Sequence, residues 1–465
     1  MIKSIKLLIW VYLILLVLEG ALRKWILPSL SSPLLIVRDP VVAMIYALAL
    51  AKGVFPHSRF VICTAILAAA SVLVSFLGGC DQPVVILYGL RINYLHIPLI
   101  FVMAEVLTRK DVERLGIMLL LLAIPNTLLM IQQFRASPDD WLNKGVGDGE
   151  GGQLFGAEGR IRPPGFFSFI SGPQNYYPLC AAFFLYMVSR RKGLILTVIL
   201  AAGVAIAVAL PVSISRTCMV ATMIVGVVYL ITMPFATGIS LKFIKPAIVL
   251  LIIGLIISQL SIFSEGSSAF TTRWTTAAGA DTNGWMDLIG RIGGIIDLTI
   301  ESITNAPLFG SGIGMGSNFG SQFTTGSMQF MLAEDEWAKV LLELGLPVGL
   351  GFIVLRVALG LYIGSKSISV LVHNKDPLPI LIFSSCAVIL VYGQWGPPVI
   401  LGFAVLGSGL TLAAIKHSET LEGMEMITES SLQEDVQVPQ EFPSIDQKAE
   451  SRRLPSSKRS EHDRR

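Results

Sequence analysis

The sequence predicts an all-α, polytopic integral membrane protein, and its composition and long apolar runs support that prediction. Of the 465 residues, 53% are hydrophobic and only 14% are charged, and the mean hydropathy is +0.70. Soluble domains carry roughly 25% charged residues, which argues against a large soluble core. Because a spanning helix needs about 20 mostly apolar residues, each long apolar run is a candidate membrane span.

Twelve segments are predicted spans, and the first is expected to be a retained helix. An N-terminal apolar run can also be a cleaved signal peptide. This run lacks a small-x-small cleavage site, and Glu19, Arg23 and Lys24 follow its apolar core. The predicted spans are 5–22, 34–51, 60–78, 84–107, 114–132, 165–188, 193–211, 217–237, 243–262, 338–363, 378–393 and 396–415.

Lysine and arginine in alternate short loops predict the orientation, because cationic loops stay in the cytoplasm. Both termini are then cytoplasmic, and in a bacterium the opposite face is the outer face of the inner membrane. The predicted domains are a membrane domain over 1–415, with outer loops at 133–164 and 263–337, and a polar, disordered cytoplasmic tail over 416–465. The cationic loop residues are Lys52, Arg59, Arg109, Lys110, Arg114, Arg190, Arg191, Lys192, Lys242, Lys245, Lys366, Lys375 and Lys416.

Charge and cysteine content exclude several other classes of function. The formal net charge of +3 gives no reason to expect a nucleic-acid partner. The five cysteines are scattered and form no CxxC pair, so neither a disulfide framework nor a zinc site is predicted. No Walker loop, nucleophile elbow or HExxH motif is present. We expect no metal and no cofactor.

Arginines on the predicted outer face are the main candidates for binding a substrate. Arg216 lies in PVSISRTC, a short polar break between two apolar runs, where an arginine costs roughly 3 kcal/mol unless it is paired or solvated. Its planar guanidinium suits bidentate contacts with phosphate, so Arg216 and Arg291 are candidates to hold a diphosphate. Arg160 and Arg162, beside PPGFF, are further candidates. Alternatively, all four contact lipid headgroups or pair with loop carboxylates.

Two charged pairs fall within apolar runs. Arg91 and His96 are five residues apart, slightly more than one helical turn, so both can face one cavity. They either line a substrate pathway or satisfy polar neighbours within the helix bundle. Arg38 and Asp39 are interpreted as a structural ion pair.

Three acids precede the tenth predicted span. Glu334, Asp335 and Glu336 can complement the helix dipole. Alternatively, one of them is a general base beside the arginines. Trp337 either stacks on a sugar ring or anchors the chain at the membrane interface.

Three motifs in order resemble the O-antigen ligase and O-antigen polymerase superfamily of bacterial membrane glycosyltransferases. They are RPPGFFSFISGPQNYYPL, SISRTCMVA, and GRIGGIIDLTIESITNAPLFGSGIGMGSNFG followed by AEDEWAKVLLELGLPVGLGF. The first resembles the family's Arg, Gly-Phe, Pro-Asn segment, which includes Asn175. The second resembles its Ser-x-Ser-Arg segment, and the third its outer loop. The resemblance covers about residues 84–415.

The resemblance implies a chemistry for these residues. Such enzymes transfer a glycan from a polyprenyl diphosphate to an acceptor hydroxyl at the outer face, without a nucleotide sugar or a metal. Arg216 and Arg291 would bind and neutralise the leaving diphosphate. The family's ligases have a histidine where this sequence has Glu334, and that departure favours a polymerase in which Glu334 is the base.

The sequence therefore predicts a polymerase of polyprenyl-diphosphate-linked oligosaccharide repeat units. The alternatives are a ligase that transfers finished glycan to another acceptor, and a transporter of a lipid-linked glycan. The expected partners are the lipid-linked donor, the glycan acceptor, the bilayer and a possible chain-length regulator. The predicted catalytic residues are Glu334, Arg216 and Arg291, and the predicted substrate-binding residues are Arg160, Arg162, Asn175, Glu336, Trp337 and Arg91.

Overall fold

The fold is known from a computed structural model. It describes residues 2–146, 153–188, 190, 192–237, 248–249, 252–255, 259–278, 284–326, 332–333 and 335–436. Its internal contacts divide the chain into two units, Met1–Thr420 and Leu421–Arg465. The contacts discussed below belong to the first unit.

The structure is 79% helical and has no strand among the described residues, which confirms the predicted all-α class. An isolated antiparallel bridge joins Phe155 and Ile161. In chain order the α-helices are α1 Ile2–Ala21, α2 Ser31–Leu34, α3 Arg38–Ala51, α4 Arg59–Leu77, α5 Pro83–Leu90, α6 Ile97–Val106, α7 Arg109–Arg135, α8 Ser171–Met187, α9 Gly193–Val212, α10 Arg216–Thr237, α11 Ser261–Ala278, α12 Gly284–Asn305, α13 Asn318–Thr325, α14 Glu336–Asn374, α15 Leu378–Val391 and α16 Pro398–Val436.

Within the described residues, eight helical segments are long and apolar enough to cross a membrane. A ninth arises if the bent pair Pro28–Leu34 and Arg38–Ala51 is counted as one span. These segments indicate a membrane protein, but the predicted count of twelve is not confirmed. The eight segments are Ile2–Ile26, Arg59–Leu77, Pro83–Val106, Arg109–Arg135, Gly193–Val212, Arg216–Ala236, Glu336–Asn374 and Pro398–Lys416.

Two of the other predicted spans are absent from these eight segments for identifiable reasons. Half of the segment 243–262 lies outside the described residues. The segment 378–393 is the 14-residue helix α15, which at 1.5 Å per residue is about 21 Å long and shorter than the roughly 30 Å hydrocarbon core of a bilayer.

The predicted span 165–188 begins six residues later than expected, at Ser171. Pro163, Pro164 and Gly165 precede it, and Gly165 has a φ of +62°. The backbone N–H groups of Gly165 and Phe166 donate to two side chains of α7, at 2.8 Å each, instead of to helix carbonyls. Non-helical backbone inside a bundle needs such partners.

Helix α8 is the central helix of the bundle. All of its residues except Ser171 and Gln174 are buried, and it contacts α7, α9, α10 and α15. A helix that is apolar on every side is typically buried in this way. The apolar sequence of α8 is therefore explained by its burial among other helices as well as by a membrane environment.

The predicted outer loop 263–337 is largely helical where it is described. It contains most of α11, all of α12 and all of α13. Helix α12 contacts both α11 and α14. The segment is therefore a packed part of the structure.

The glycine-rich segment 307–317 folds against a break in α14. Gly345, with a φ of +71°, interrupts that helix. Ser311 N–H donates to Leu342 at 2.9 Å, and Gly312 N–H donates to Glu343 at 3.0 Å. The turn thus satisfies carbonyl groups that the break releases.

Helix α16 begins at Pro398 and continues to Val436. Residues 437–465 lie outside the described residues. The predicted domain organisation stays a prediction.

We expect Gly345→Ala to destabilise the protein by about 2 kcal/mol or more, because its Cβ would need a left-handed backbone and would lie 2.4 Å from the Leu308 carbonyl oxygen. The matched control is Gly226→Ala in α10, where nothing lies within 4 Å of the added Cβ. Thermal unfolding in detergent compares the two variants. Equal melting temperatures would contradict the assignment of strain to Gly345.

Candidate functional site

A short hairpin carries two of the predicted arginines. Gly156 N–H donates to the Arg160 carbonyl at 2.8 Å, and Arg162 N–H donates to the Leu154 carbonyl at 2.8 Å. Glu158, at the tip, has a φ of +55°, a backbone conformation that is uncommon for residues other than glycine. Arg160 and Arg162 lie on one arm of the hairpin, on either side of the bridged residue Ile161.

Helix α11 is docked onto this hairpin by polar contacts. The hydroxyl groups of Ser268 and Thr272 donate to the Glu158 carboxylate at 2.9 and 3.0 Å. Glu265 pairs with Arg135 at 3.2 Å and with Arg160 at 3.5 Å. These contacts place Arg273, the residue after Thr272, beside the hairpin.

The turn between α9 and α10 brings Arg216 to the same region. Ile214 has a φ of +47°, which is a strained conformation for a β-branched residue. Such strain clusters at functional sites. Ser215 then caps α10 by accepting from Cys218 N–H at 3.3 Å, so Arg216 is the first residue of that helix.

The first two motifs of the sequence analysis are in contact. Gln174 donates from Nε2 to Ser215 Oγ at 2.8 Å, and the Cys218 thiol lies 3.6 Å from the Pro173 carbonyl oxygen. The hairpin and the α9–α10 turn also meet, because a Cβ added to Gly156 would lie 2.8 Å from Ile214 Cδ1. The fold therefore joins two segments that are about 40 residues apart.

The result is a group of three half-buried arginines, Arg162, Arg216 and Arg273, which we call the arginine cluster. Burial lowers the pKa of the Arg162 guanidinium, and the positive charges of Arg273 and Arg216 lower it further. Arg162 Nε is buried and has no hydrogen-bond partner among the described residues. Like charges held together in this way favour binding of an anion.

The chemistry of the arginine cluster suits phosphate. Guanidinium groups contact phosphate oxygens in a bidentate manner. The N-terminus of α10, which begins at Arg216, adds the positive end of a helix dipole. The cluster can therefore bind and neutralise a phosphate or diphosphate group.

The end of α1 supports the segment that follows the hairpin. Lys24 Nζ donates to the Gly165 carbonyl at 2.9 Å, and Arg23 donates to Ser168 Oγ at 3.3 Å. A Cβ on Gly20 would lie 2.1 Å from Ser168 N, so the two backbones are in direct contact. The N-terminal helix thus positions the first motif.

Two other predicted site residues near the cluster have structural contacts. Arg160 donates to the Phe134 carbonyl at 3.0 Å and lies over the Phe134 ring. Asn175 is buried and donates to the Ser171 carbonyl at 2.7 Å within α8. Neither contact tests a role in substrate binding.

Two predicted catalytic residues cannot be placed in the site. Glu334 lies outside the described residues. Arg291 belongs to α12, but its side chain is not described. Their predicted roles stay predictions.

Glu336 lies in a buried ionic group. Lys339 contacts it at 2.6 Å and Arg356 at 3.0 Å, and all three side chains are almost fully buried. Arg356 also donates to the carbonyl groups of Leu390 and Gly393 at 3.0 and 2.7 Å. Its guanidinium lies 4.0 Å from the Trp395 ring centre. The ion pair therefore lies within α14, and the hydrogen bonds that Arg356 donates to backbone carbonyls join α14 to the end of α15.

The remaining acidic and aromatic residues at the start of α14 also have structural partners. Asp335 caps the helix by accepting from Ala338 N–H at 2.9 Å, and burial raises the pKa of its carboxyl group. Trp337 donates to the Val391 carbonyl at 3.1 Å and packs edge-on against Tyr392. The Trp337 ring therefore packs against the segment that follows α15.

A second ionic network joins α1, α3 and the break between α5 and α6. Asp39 contacts Arg91, and it contacts His96 at 3.1 Å. Arg38 pairs with Glu19 at 3.4 Å. The interpretation of Arg38 and Asp39 as a mutual ion pair was therefore wrong, because each binds a residue of another helix. Arg91 and His96 do converge on one carboxylate, as their spacing indicates.

Sequence reasoning missed several buried charges in apolar runs. It placed two charged pairs within apolar runs, Arg91 with His96 and Arg38 with Asp39. The structure also buries Lys339, Glu343 and Arg356, which the sequence analysis did not name. Arg356 carries a visible signal, a single arginine inside LPVGLGFIVLRVALGLYIG, because an intramembrane charge is expensive without a partner.

The described residues contain no group of three or more His, Cys, Asp or Glu side chains placed to hold a metal ion. The five cysteines are free thiols. Metal independence of the reaction stays a prediction.

Comparison with models of known protein families finds no match. Comparison with curated proteins finds no significant similarity.

We expect Arg356→Met to destabilise the protein by about 3 kcal/mol or more, because it removes one partner of a buried ion pair and leaves backbone carbonyls without donors. The control is Arg59→Met, which removes an exposed arginine at the start of α4. Fluorescence-detected gel filtration after heating measures both. An unchanged melting temperature for Arg356→Met would show that the Glu336–Arg356 pair does not stabilise the fold.

Proposed function

We propose that the protein is a membrane glycosyltransferase that polymerises polyprenyl-diphosphate-linked oligosaccharide repeat units. The observation that supports the proposal is the arginine cluster, in which two motifs and α11 bring Arg162, Arg216 and Arg273 together. A polyprenyl diphosphate presents an anion at the surface of a membrane, where this cluster can bind it. Resemblance to the O-antigen ligase and polymerase superfamily supplies the rest of the reaction.

In the proposed reaction, an acceptor hydroxyl attacks the anomeric carbon of the lipid-linked sugar. The bond from that carbon to the diphosphate oxygen breaks, and polyprenyl diphosphate leaves with the bonding electrons. Fixed guanidinium groups stabilise the charge that develops on the leaving oxygen. Glu334 would accept the hydroxyl proton, and Arg291 would join the cluster, as the resemblance implies.

The position of the cluster fits a site at one surface of the membrane. Helix α7 has 27 residues and is therefore about 40 Å long. Arg109, at its start, pairs with Asp376. Arg135, at its end, pairs with Glu265 next to the arginine cluster. The cluster therefore lies at the opposite end of the bundle from Arg109, whose loop the sequence assigns to the cytoplasm.

We accordingly place the reaction at the outer face of a bacterial inner membrane, with both termini in the cytoplasm. The partners would be the lipid-linked donor and the growing glycan, with a possible regulator of chain length. A ligase reaction uses the same leaving group and differs in its acceptor.

One observation favours a transporter as a second candidate. Transporters carry paired charges deep within several helices, and the Glu19–Arg38 and Asp39–Arg91 pairs have that character. The same charges also have protein partners, as expected of a structural network. An assay that measures glycan transfer distinguishes an enzyme from a transporter.

We expect Arg162→Ala, Arg216→Ala and Arg273→Ala each to lower polymer formation, on the order of 100-fold for a group that stabilises the leaving diphosphate. Purified protein in nanodiscs receives lipid-linked repeat units, a chelator and no nucleotide sugar, and products are separated by size. The control is Arg59→Ala, which removes an arginine from the other end of the bundle.

A ladder of longer lipid-linked glycans supports the polymerase. Transfer only to a second, added acceptor identifies a ligase. If the wild-type protein is folded and the substrate stays unchanged, the proposed glycosyltransferase activity is contradicted. Transport of the lipid-linked glycan across liposome membranes then tests the transporter.

Glu334→Gln should abolish transfer if Glu334 is the base, because an amide cannot accept the hydroxyl proton. Asp335→Asn is the matched control, since asparagine also caps a helix and α14 should still form. Initial rates of glycan transfer and melting temperatures are measured for both variants. Equal rates for both variants would exclude Glu334 as the base.

A further inference from the structure

Three aromatic rings stack in a row between α5 and α13. The Tyr88 and Phe319 ring centres are 4.4 Å apart with 22° between the ring planes, and the Phe319 and Phe323 ring centres are 6.0 Å apart with 23° between the planes. We call these three residues the aromatic row. The Arg91 guanidinium lies over the Tyr88 ring, 5.4 Å from its centre. At the other end of the row, Phe323 is 49% exposed, so the row ends in an aromatic ring that a ligand can reach.

Helix α13, which carries two of these rings, is held at both ends. Ser317 caps its start by accepting from Gly320 N–H at 3.0 Å, and Gly326 ends it with a φ of +73°. A Cβ added to Gly320 would lie 2.3 Å from the Gly314 carbonyl oxygen, so the helix backbone lies directly on the glycine-rich segment. Phe323 is thus presented from a fixed helix, and a group that is already ordered loses little conformational entropy when a ligand binds.

The exposed face of α13 is polar but uncharged. The sequence of the helix, NFGSQFTT, contains no charged residue. Asn318 and Gln322 are exposed, and a spacing of four residues places their amide groups on one face of the helix, next to the face of Phe319 and Phe323. An amide group both donates and accepts hydrogen bonds. The ligand that suits this surface has an apolar face and neutral hydroxyl groups.

The aromatic row lies at the same end of the bundle as the arginine cluster. The start of α4 lies at the other end, since Phe60 stacks on Phe101 of α6, the helix that leads to Arg109. Helix α4 has 19 residues and is about 28 Å long, so its last turn is at the end of the cluster. A Cβ on Gly78, directly after α4, would lie 1.9 Å from the Gly310 carbonyl oxygen. The glycine-rich segment, and α13 that follows it, therefore lie on the face where we propose glycosyltransfer.

We propose that the aromatic row and the exposed amides of α13 bind sugar residues of the glycan, and that the C–H face of one sugar ring packs on the Phe323 ring. Hydroxyl groups at the edge of that sugar would exchange hydrogen bonds with the Asn318 and Gln322 amides. The identity of the glycan comes from the proposed function, on which this site rests. Phe323 would hold the glycan and would not contact the reacting atoms.

Binding of lipid-free oligosaccharide to full-length protein in nanodiscs tests the site without any need for glycan transfer. The probe is the repeat-unit oligosaccharide released from its lipid by mild acid, and saturation-transfer NMR gives the dissociation constant. Phe323→Ala should weaken binding about fivefold, the effect of losing one aromatic contact. Gln322→Ala should also weaken it, because hydrogen bonds to the sugar hydroxyl groups are lost. Wild-type protein that binds no oligosaccharide would overturn the site.

Two further substitutions of Phe323 distinguish a sugar contact from an apolar anchor in the lipid interface. Tryptophan keeps an aromatic face, so Phe323→Trp should bind as tightly as the wild type, which shows that the loss in Phe323→Ala is not caused by misfolding. Leucine keeps the apolar volume but has no ring, so Phe323→Leu should bind as weakly as Phe323→Ala. A leucine variant that binds as tightly as the wild type would identify an apolar anchor and overturn the proposal.

Phe309→Ala is the matched control. It removes a phenylalanine of the glycine-rich segment that is 43% exposed and is not part of the aromatic row, and it should leave oligosaccharide binding unchanged. Equal weakening by Phe309→Ala and Phe323→Ala would mean that the exposed rings of this segment act without regard to the row, and it would overturn the site.

Kinetics of the proposed reaction distinguish failure of this site from failure of the proposed function. In the polymerisation assay, Phe323→Ala should raise KM for the glycan about fivefold with kcat unchanged, because ground-state and transition-state binding are weakened equally. Polymerisation with unchanged KM and unchanged oligosaccharide binding in that variant overturns the site and leaves the proposed function standing. Oligosaccharide binding that Phe323→Ala weakens, in a wild-type protein without transferase activity, supports the site and contradicts the proposed function.

Discussion

The backbone of Gly165 and Phe166 is held by the side chains of Gln133 and Asn126 on α7, and much of the candidate site depends on this pair of hydrogen bonds. Irregular backbone inside an apolar bundle is tolerated only where protein groups satisfy its N–H and C=O groups. Once α7 supplies those partners, the chain can leave the helix before Ser171. The hairpin that carries Arg160 and Arg162 can then reach the start of α10.

The same constraint explains the glycine-rich segment. The break at Gly345 releases carbonyl groups of α14, and the turn at Ser311 and Gly312 hydrogen-bonds to them. Close approach of the two backbones leaves no space for a Cβ at Gly310, which would lie 2.2 Å from the Glu343 carbonyl oxygen. A glycine-rich sequence here therefore serves backbone packing, with no need for a bound nucleotide.

Charge is distributed in two distinct ways. Deep charges have buried partners, either within one helix, as for Glu336 and Arg356 of α14, or between helices, as for Glu19 of α1 and Arg38 of α3. Pairing offsets the electrostatic cost of burying them. The arginine cluster brings like charges together at one end of the bundle. Guanidinium groups that lie together favour binding of an anion such as phosphate, which makes the cluster the best candidate for a ligand site.

The sequence by itself determined the all-α membrane class, because apolar runs and a lack of charge are local properties. It also indicated Arg216, since a polar break between apolar runs is visible in a single segment. Only the tertiary structure decided that Arg162 and Arg273 join Arg216 and that Glu336 belongs to a buried ion pair with Arg356. It also decided that Arg38 and Asp39 bind different partners. These outcomes depend on contacts between distant segments, and no local pattern of residues specifies which charges meet.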